Sequence, residues 1–351
     1  MRWNGTGEVP WMQQDTKEEV YIEWERVLTK MDKWKFNAIR LYIYPNMNLA
    51  SVQRLDYVFI DDLISIINSH GMATIIDMHH AGWVNGVYVT GYFGSDQWVQ
   101  DWRDLATRYK DNPNVIAFEL YNEPWVLEEW DPVYVTEYND ILKANARCTD
   151  AIRAIDSTRT VIWGDPLLCN TIPYYDFSQS SIIEQYRSYA GNMWFDFHRY
   201  PPILPNPIEP WTGVQVMFNS MDYVIAKGFN VWLGEFGPHP SFSDVENREF
   251  VLRCINFCMS RSLSFSLWSY RNDHNCTPGL YDDVLALSDY KPPPPFTPIP
   301  PIIPIIVGAG LGYAVGRETG AAIGALAGAA LGSVSFKYRE RLTRIGMLGR
   351  G

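Results

Sequence analysis

The stretch VIAFELYNEP, residues 115–124, joins a short apolar run to the polar sequence Asn122-Glu123-Pro124. Segments in which apolar residues recur at helical spacing flank it, at 96–110 and 134–155. A short apolar run between two helices is typical of a buried strand in a parallel sheet. In barrel enzymes the catalytic groups follow the carboxyl ends of such strands. Residues 115–124 therefore predict both a parallel sheet and the position of a functional site.

The same alternation continues along the chain in both directions. Further strands are predicted at 38–44, 73–79, 160–164, 193–198, 231–235 and 264–270, and further helices at 16–35, 52–69, 214–227 and 245–261. This pattern predicts an α/β fold, either a (β/α)8 TIM barrel or an open doubly wound sheet. A barrel needs one more strand before the first helix, where only Met1-Arg2-Trp3 remain. We therefore expect the chain to begin inside or just after a truncated first strand.

Composition limits the class of partner. The 351 residues include 47% hydrophobic side chains and carry a net charge of −11. From Lys291 onward there are seven basic and two acidic residues, so the remainder carries 22 basic and 38 acidic ones. An acidic domain argues against nucleic acid as a partner. The 14 tryptophans fit either a large core or a groove that stacks on sugar rings, and composition alone does not decide between these.

The five cysteines point to no metal or disulfide framework. They show no Cys-x-x-Cys spacing, so neither a zinc site nor a full set of disulfides is predicted. Cys254 and Cys258 lie four residues apart in a predicted helix. We interpret them as small buried side chains.

The composition changes after Tyr290, which ends the predicted barrel domain, residues 1–290. Residues 291–304 contain eight prolines and predict a stiff linker. Within residues 305–336, seven glycines occur at every fourth position from Gly308 to Gly332. Residues four apart share one ridge of a helix, so this glycine zipper predicts a hydrophobic helical segment with close helix packing. Self-association of this segment is one expected consequence.

We interpret the glycine zipper as a transmembrane segment, with a flexible low-complexity tail as the alternative. Residues 296–316 and 319–336 carry no charge, so one pass or a hairpin of two both remain open. The basic tail, residues 337–351, is expected on the cytoplasmic side. With one pass, the protein would be membrane-anchored and its barrel extracellular. The N-terminus has no apolar region typical of a signal peptide.

Polar residues stand at six of the predicted strand ends, and in a barrel they would converge on one mouth. They are Arg40, His79, Asn122, Glu123, His198, Tyr200, Glu235 and Trp268. Two of them, Glu123 and Glu235, are carboxylic acids. Hydrolysis of a glycosidic bond needs such a pair, one group to protonate the leaving oxygen and one to attack or to activate water.

Several of these residues also have a structural interpretation. Arg40 could form an ion pair inside the barrel with Asp77 or Glu119. Asp77 lies on the same face of its predicted strand as His79, and Glu119 lies on the same face as Glu123, so both predict polar layers in the barrel interior. His79 and His80 are adjacent in a predicted strand and point to opposite faces, which weakens a metal site built on both. We expect neither a metal ion nor a cofactor.

Taken in order, the strand-end residues resemble those of glycoside hydrolase family 5, the cellulase and mannanase family. The resemblance covers about residues 20–285 and rests on Asn122-Glu123-Pro124 together with the other strand-end residues. It implies a (β/α)8 barrel with acids on strands four and seven. It also implies that Glu123 is the acid/base and Glu235 the nucleophile.

The resemblance implies roles for the remaining residues as well. Asn122 would hydrogen-bond the sugar 2-hydroxyl, while Arg40 and Tyr200 would support the nucleophile. His79 and His198 would flank the site, and Trp268 would form the floor under the sugar at the cleavage point.

We therefore expect a retaining, endo-acting hydrolase that cleaves a β-1,4-linked polysaccharide, cellulose or another β-glucan, by double displacement. Retention predicts carboxyl groups about 5 to 5.5 Å apart. The alternatives are a β-mannanase, a membrane-tethered carbohydrate-binding protein without turnover, and an assembly formed by the C-terminal helices.

Overall fold

A computed structural model describes residues 17–33, 37–45, 55–79, 83–84, 87–88, 92–124, 134–164, 181–200, 212–238 and 243–267. Outside these residues lie the predicted first strand, Trp268, the proline-rich linker, the glycine zipper and the basic tail. Within the described part of the chain, no helix combines the length and the apolar character that crossing a membrane requires.

Parallel strands form the main sheet, as the alternation predicted. Its strands are β1 (Ala38–Ile43), β2 (Ala73–Met78), β5 (Val115–Glu119), β6 (Thr160–Trp163), β7 (Met193–Arg199), β8 (Asn230–Phe236) and β9 (Ser264–Leu267), and they adjoin one another in this order. A short antiparallel hairpin, β3 (Trp83–Val84) with β4 (Val87–Tyr88), follows β2 and was not predicted. Within residues 115–124 the strand β5 ends at Glu119, and the following residues lie beyond it.

Helices alternate with these strands close to the predicted positions. They span Lys17–Lys33, Tyr57–Ser69, Asp96–Tyr109, Tyr134–Arg153, Thr212–Ala226 and Asp244–Ser260. Side-chain caps set several of the boundaries: Ser95 accepts a hydrogen bond from the Trp98 amide, and Ser243 forms a reciprocal capping box with Glu246. Between β6 and β7 the described residues form only the short helix Ser181–Glu184 and the 3-10 turn Arg187–Asn192.

The sheet curls into a barrel. Arg40 on β1 donates from Nη1 to Oε1 of Glu235 on β8 over 2.7 Å. These strands are separated by five steps in the sheet order, which would place them about 24 Å apart if the sheet were flat. The contact is possible only in a nearly closed barrel, and it rules out the open doubly wound sheet.

The main core lies between the outer face of the barrel and the helices. Trp98 and Trp102 from one helix are fully buried there, and both indole N–H groups donate to the carbonyl of Leu120 over 3.1 Å. Three cysteines, Cys148, Cys254 and Cys258, are buried free thiols, as interpreted for the last two. The two indole hydrogen bonds to Leu120 also fix the backbone just beyond β5.

Inside the barrel the side chains form two layers. The lower layer is apolar and comprises Ile75, Ala117, Ile162 and Trp232, with Trp194 packed against them. Two residues further along the strands, the upper layer contains Asp77, Glu119 and Asp196, which are fully buried, and Gly234. Side chains on a strand alternate between faces, so these two layers follow from the pleat. The polar layer predicted from Asp77 and Glu119 is confirmed.

A bulge in β8 lies at Gly234, in the upper layer. Phe197 of β7 pairs with Leu233, but the next residue, His198, pairs with Glu235. On the other side, Leu233 pairs with Phe265 and Phe236 with Leu267, so β8 carries one extra residue here relative to both neighbours. An extra residue reverses the alternation beyond it. Glu235 consequently turns into the barrel, although it follows the inward-facing Gly234 directly.

Candidate active site

Arg40 ties the upper layer to the mouth of the barrel. Its guanidinium bonds Glu119 through Nε (2.6 Å) and Nη2 (2.5 Å), and Nη2 lies 3.1 Å from Asp77. It also donates to Glu235 over 2.7 Å and to Asn122 Oδ1 over 2.8 Å. Burial alone would lower the pKa of Arg40, but Asp77 and Glu119 raise it well above its ordinary value. A permanent, fully paired cation therefore stands beneath the site.

Glu235 is held by a donor on each carboxylate oxygen. Arg40 donates to Oε1, and the Tyr200 hydroxyl donates to Oε2 over 2.7 Å. Burial, reinforced by the charge of Glu235, raises the pKa of Tyr200 well above its ordinary value, so the phenol stays a donor. The two donors therefore hold the Glu235 carboxylate in one orientation.

Glu123 stands at the end of a segment held from several sides. The amide of Leu120 bonds Ile162 of β6, and the amide of Asn122 bonds Met78 of β2, both over 3.0 Å. At Glu123 the backbone enters the left-handed region, with φ of 40°, which is uncommon for a residue with a side chain. Such strain persists where the surrounding structure enforces it. His198 Nδ1 lies 2.8 Å from Glu123 Oε1.

The two acidic residues face each other across the mouth. One carboxylate oxygen of Glu123, one of Glu235 and a ring nitrogen of His198 all lie within 4.8 Å of one another. Glu123 is the more accessible acid, since 29% of its side chain is exposed against 5% for Glu235. The site thus pairs a buried, doubly bonded carboxylate with a partly exposed one.

The same groups have the right types and spacing to ligate a cation. Glu123, His198 and Glu235 form one such triad, and Glu119 and Asp196 form another with the same histidine. Arg40 already forms ion pairs with Glu119 and Glu235, and its fixed charge opposes a metal ion beside it. The arrangement is explained by the hydrogen bonds among these groups and requires no metal ion.

His79 and Asn122 line the wall beside Arg40. Burial lowers the pKa of His79 to about 3, so its ring is neutral near pH 7. His79 Nδ1 lies 2.7 Å from Asp77 Oδ2, and its Nε2 lies 3.4 Å from Asn122 Nδ2. Because Arg40 occupies Oδ1 of Asn122, the amide NH2 is fixed on the opposite side and available as a donor.

Seven of the eight predicted site residues lie in the described part of the chain, and the structure brings them together. They are Arg40, His79, Asn122, Glu123, His198, Tyr200 and Glu235. Trp268 lies one residue beyond the described end of β9.

Two further residues of the site were missed in the sequence. Asp196 is fully buried, and its Oδ2 lies 2.7 Å from His198 Nε2. Its Oδ1 accepts from the Gly234 amide over 2.9 Å. A Cβ at position 234 would lie 2.8 Å from Asp196 Cγ, so only glycine leaves room for this carboxylate. The signal was present, because Asp196 precedes His198 by two residues and therefore faces the same side of the strand.

A comparison with protein families decides the relationship. Residues 3–274 match the cellulase family, glycosyl hydrolase family 5. The chain belongs to glycosyl hydrolase family 5. This protein is therefore a glycoside hydrolase of the cellulase family, and the resemblance drawn from its strand-end residues is confirmed.

Relatives of this family 5 protein are named as endoglucanases. It is 23% identical to an endoglucanase of Paenibacillus polymyxa, over 73% of this chain and 72% of that one. It is 28% identical to the major extracellular endoglucanase of Xanthomonas campestris pv. campestris, over 74% of this chain and 59% of that one.

Solved structures agree with the barrel fold. A β-glucanase of Saccharophagus degradans superposes with a TM-score of 0.59 at 18% identity, covering 78% of this chain and 86% of that one. A hyperthermophilic endocellulase of the archaeon Pyrococcus horikoshii gives a TM-score of 0.55, also at 18% identity, over 76% and 86% of the two chains. At this identity the likeness establishes the fold of the family 5 domain.

Proposed function

We propose that this family 5 protein is a retaining, endo-acting β-1,4-glucanase that hydrolyses cellulose or a related β-glucan. The observation that carries the proposal is the approach of the Glu123 and Glu235 carboxylate oxygens to within 4.8 Å. Retaining glycosidases hold their carboxyl groups about 5 to 5.5 Å apart. Inverting enzymes need about 6.5 to 9.5 Å, because a water molecule must fit between the acid and the sugar. The short separation supports retention.

Glu235 is the proposed nucleophile. Donors on both oxygens fix the direction of its carboxylate, and its burial removes competing water. In the first step it attacks the anomeric carbon, the bond to the leaving oxygen breaks, and Glu123 transfers a proton to that oxygen. In the second step Glu123 takes a proton from water, the water oxygen attacks the anomeric carbon, and Glu235 is released.

The supporting roles follow from the contacts around these two acids. Asn122, whose NH2 group is turned away from Arg40, would donate to the sugar 2-hydroxyl. Arg40 and Tyr200 would hold the charge of Glu235 in place, and His79 would flank the sugar beside Asn122. Trp268 follows β9 in the sequence and, by the family resemblance, would support the sugar face by stacking.

The choice of glucan rests on the relatives. The two named above are endoglucanases, and a further one, from Ruminococcus flavefaciens, is a cellodextrinase at 23% identity over 51% of this chain. Mannan differs from glucan at one hydroxyl, so β-mannanase activity is the competing outcome. A carbohydrate-binding protein without turnover is the second competing outcome.

The test compares release of reducing sugar from carboxymethylcellulose and from mannan, for the wild type and for Glu123→Gln. We expect activity on the cellulose derivative that falls by about 10² to 10⁴ in the variant, as for loss of a general acid. Glu249→Gln, a change in a partly exposed pair with Arg253, is the matched control and should keep full activity. Release from mannan alone would replace the glucanase by a mannanase. No release from a folded wild type would favour the binding protein.

A second experiment separates the roles of the two acids. A cellobioside with a 2,4-dinitrophenyl leaving group needs no protonation, so Glu123→Ala should still form the glycosyl-enzyme and release a burst of dinitrophenol. Glu235→Ala should give no burst. NMR of the first product should show the β-anomer, and an α-anomer formed first would exclude retention.

We also propose that residues 305–336 anchor the protein in a membrane with the barrel outside the cell. The support is the unbroken period of four among seven glycines, two uncharged stretches and the basic residues after them. Flotation of the full-length protein with phospholipid vesicles at high salt tests the anchor. Stable cofractionation is expected, whereas a protein that stays soluble without detergent would exclude it.

A further inference from the structure

His198 lies between two carboxylates. On one side its Nδ1 is 2.8 Å from Glu123 Oε1 and 3.6 Å from Glu235 Oε2. On the other side its Nε2 is 2.7 Å from Asp196 Oδ2. The ring and the Asp196 side chain are both fully buried. Carboxylates accept hydrogen bonds and do not donate them when ionised, so a ring that faces one at each nitrogen favours a proton on both.

Asp196 is itself fixed in place. The Gly234 amide holds its Oδ1, and the absent side chain of Gly234 provides the space that Asp196 occupies. Burial opposes its ionisation, but the adjacent His198 lowers the pKa of Asp196 below its ordinary range. Burial likewise disfavours the imidazolium, but Asp196 and Glu235 raise the pKa of His198 well above its ordinary value.

Building on the proposed function, we propose that Asp196 is a positioning residue for the acid/base step. Its negative charge, 2.7 Å from Nε2 of His198, favours a proton on that nitrogen and thereby makes Nδ1 the nitrogen that exchanges a proton with Glu123. The pair of Glu123 and His198 then holds one mobile proton, which is the proton that the leaving oxygen must receive. Asp196 keeps this proton in the site as the pH rises and so sets the alkaline limit of activity.

The balance of the step is simple. A proton moves from His198 Nδ1 to a Glu123 carboxylate oxygen, which leaves a neutral ring that still carries its Nε2 proton and a neutral Glu123. Glu123 then protonates the leaving oxygen as the anomeric carbon bonds to Glu235. When Glu123 later takes a proton from water, the pair regains the proton that it lost.

Other ionisable groups also act on His198. They are Glu119 and Glu123 from the β5 segment, Glu235 from β8, Asp77 from β2 and His79 directly after it. Arg40 from β1 and Tyr200 after β7 act through Glu235, to which both donate. Asp196 Oδ2 lies 2.7 Å from Nε2, and Glu123 Oε1 lies 2.8 Å from Nδ1. Removing the Asp196 charge therefore tests the tautomer more directly than a change at any of the others.

The experiment uses Asp196→Asn in the full-length protein. The amide NH2 would face Nε2 and make it an acceptor, which would leave a neutral ring with its single proton on Nδ1 and no mobile proton for the pair of Glu123 and His198. The kcat on carboxymethylcellulose should fall by about 10² to 10⁴, and the alkaline limb of the pH profile should move down by at least about one pH unit. The rate of glycosyl-enzyme formation from the dinitrophenyl cellobioside should fall less than about tenfold, because that step needs no acid.

The control variant is Asp101→Asn. Asp101 is also a buried carboxylate, but its hydrogen bonds come from Tyr92 and Gln97 on the outer side of the barrel. Its loss should lower stability and leave the pH profile unchanged. If Asp196→Asn lost the same factor on both substrates with an unshifted pH profile, Asp196 would have only a structural role and the proposal would be wrong.

A measurement on the wild type keeps the proposal testable even if the variant does not fold. Nitrogen-15 NMR of the ring, assigned by its loss in His198→Asn, should show both nitrogens protonated at pH 7. A neutral ring without a proton on Nε2 would overturn the proposal. An enzyme that releases no sugar would instead refute the proposed function, and the ring spectrum would still decide the role of Asp196.

Discussion

The two layers inside the barrel are built on the same strands and differ in almost every physical property. The lower layer, from Ile75 to Trp232, is apolar and needs only shape complementarity. The upper layer, two residues further on, buries three carboxylates around the cation of Arg40. Removing one partner from a buried charged network is far more costly than removing a methylene group. The barrel therefore combines a floor that tolerates substitution with a site that does not.

The largest expected effect comes from removing the cation of the upper layer. Arg40→Met would leave Asp77, Glu119 and Glu235 without their shared partner, and we expect a loss of about 3 to 5 kcal/mol in the free energy of unfolding. Urea titration at pH 7 measures it. Arg108→Met breaks an exposed pair with Asp61 and serves as the control, with an expected loss of about 0 to 1 kcal/mol. Equal losses in the two variants would contradict the importance assigned to the buried network.

The next effect concerns the space beside Asp196. Gly234→Ala would force its Cβ against Asp196 and the indole of Trp232, and overpacking of this kind costs about 1 to 3 kcal/mol. We also expect reduced hydrolysis, because Asp196 must move. Gly191→Ala, where a Cβ meets nothing within 4 Å, should change the unfolding free energy by less than about 0.5 kcal/mol. Full activity and stability of the Gly234 variant would show that the space is larger than the structure indicates.

A third prediction is that stability depends on pH through the upper layer. Burial raises the pKa of Asp77 to about 7, against about 3.9 in an unfolded chain, although Arg40 opposes the shift. Between these two pH values the folded state binds more protons than the unfolded state does. The contribution of Asp77 to the free energy of unfolding is therefore fully present below about pH 4 and is lost as the pH rises through about 7. An asparagine does not titrate, so Asp77→Asn does not show this decrease. Its free energy of unfolding should rise relative to that of the wild type as the pH increases from 4.5 to 7.5. Urea midpoints across that range measure the trend, and the opposite slope would refute it.

The smallest effect is expected in the lower layer. Ile162→Val removes one methylene group from a fully buried site and should cost about 0.5 to 1.5 kcal/mol. The cost should be the same at every pH, because no ionisable group lies in this layer among the described residues. A cost that varied with pH would mean that the two layers are coupled.

Much of this comparison could be predicted from the sequence, and particular residues show where prediction stopped. Alternation along β2 and β5 placed Asp77 and Glu119 inside the barrel, because the two strands pair in regular register from Ile75 and Ala117 to these residues. The location of Glu235 at the barrel mouth could be predicted only from its position at a strand end. Strict alternation with Trp232 and Gly234 would have turned it outward, and the extra residue that corrects this is visible only in the pairing with β7 and β9.

Asp196 was missed for a related reason. A buried aspartate in a strand has no distinguishing local pattern, since its role depends on the Gly234 amide of the neighbouring strand. The left-handed backbone at Glu123 was equally hidden, because hydrogen bonds to Met78 and Ile162 on separate strands hold this segment in place.

The bulge in β8 also limits how this domain can evolve. Beyond the extra residue, Glu235 points into the barrel while Phe236 points out, where it is fully buried and its ring packs against Phe265. Deletion of a single residue at this point would exchange the two faces, placing an acid among the helices and a benzyl group at the mouth. A change in length is therefore not tolerated at this point of β8, which can vary only by substitution.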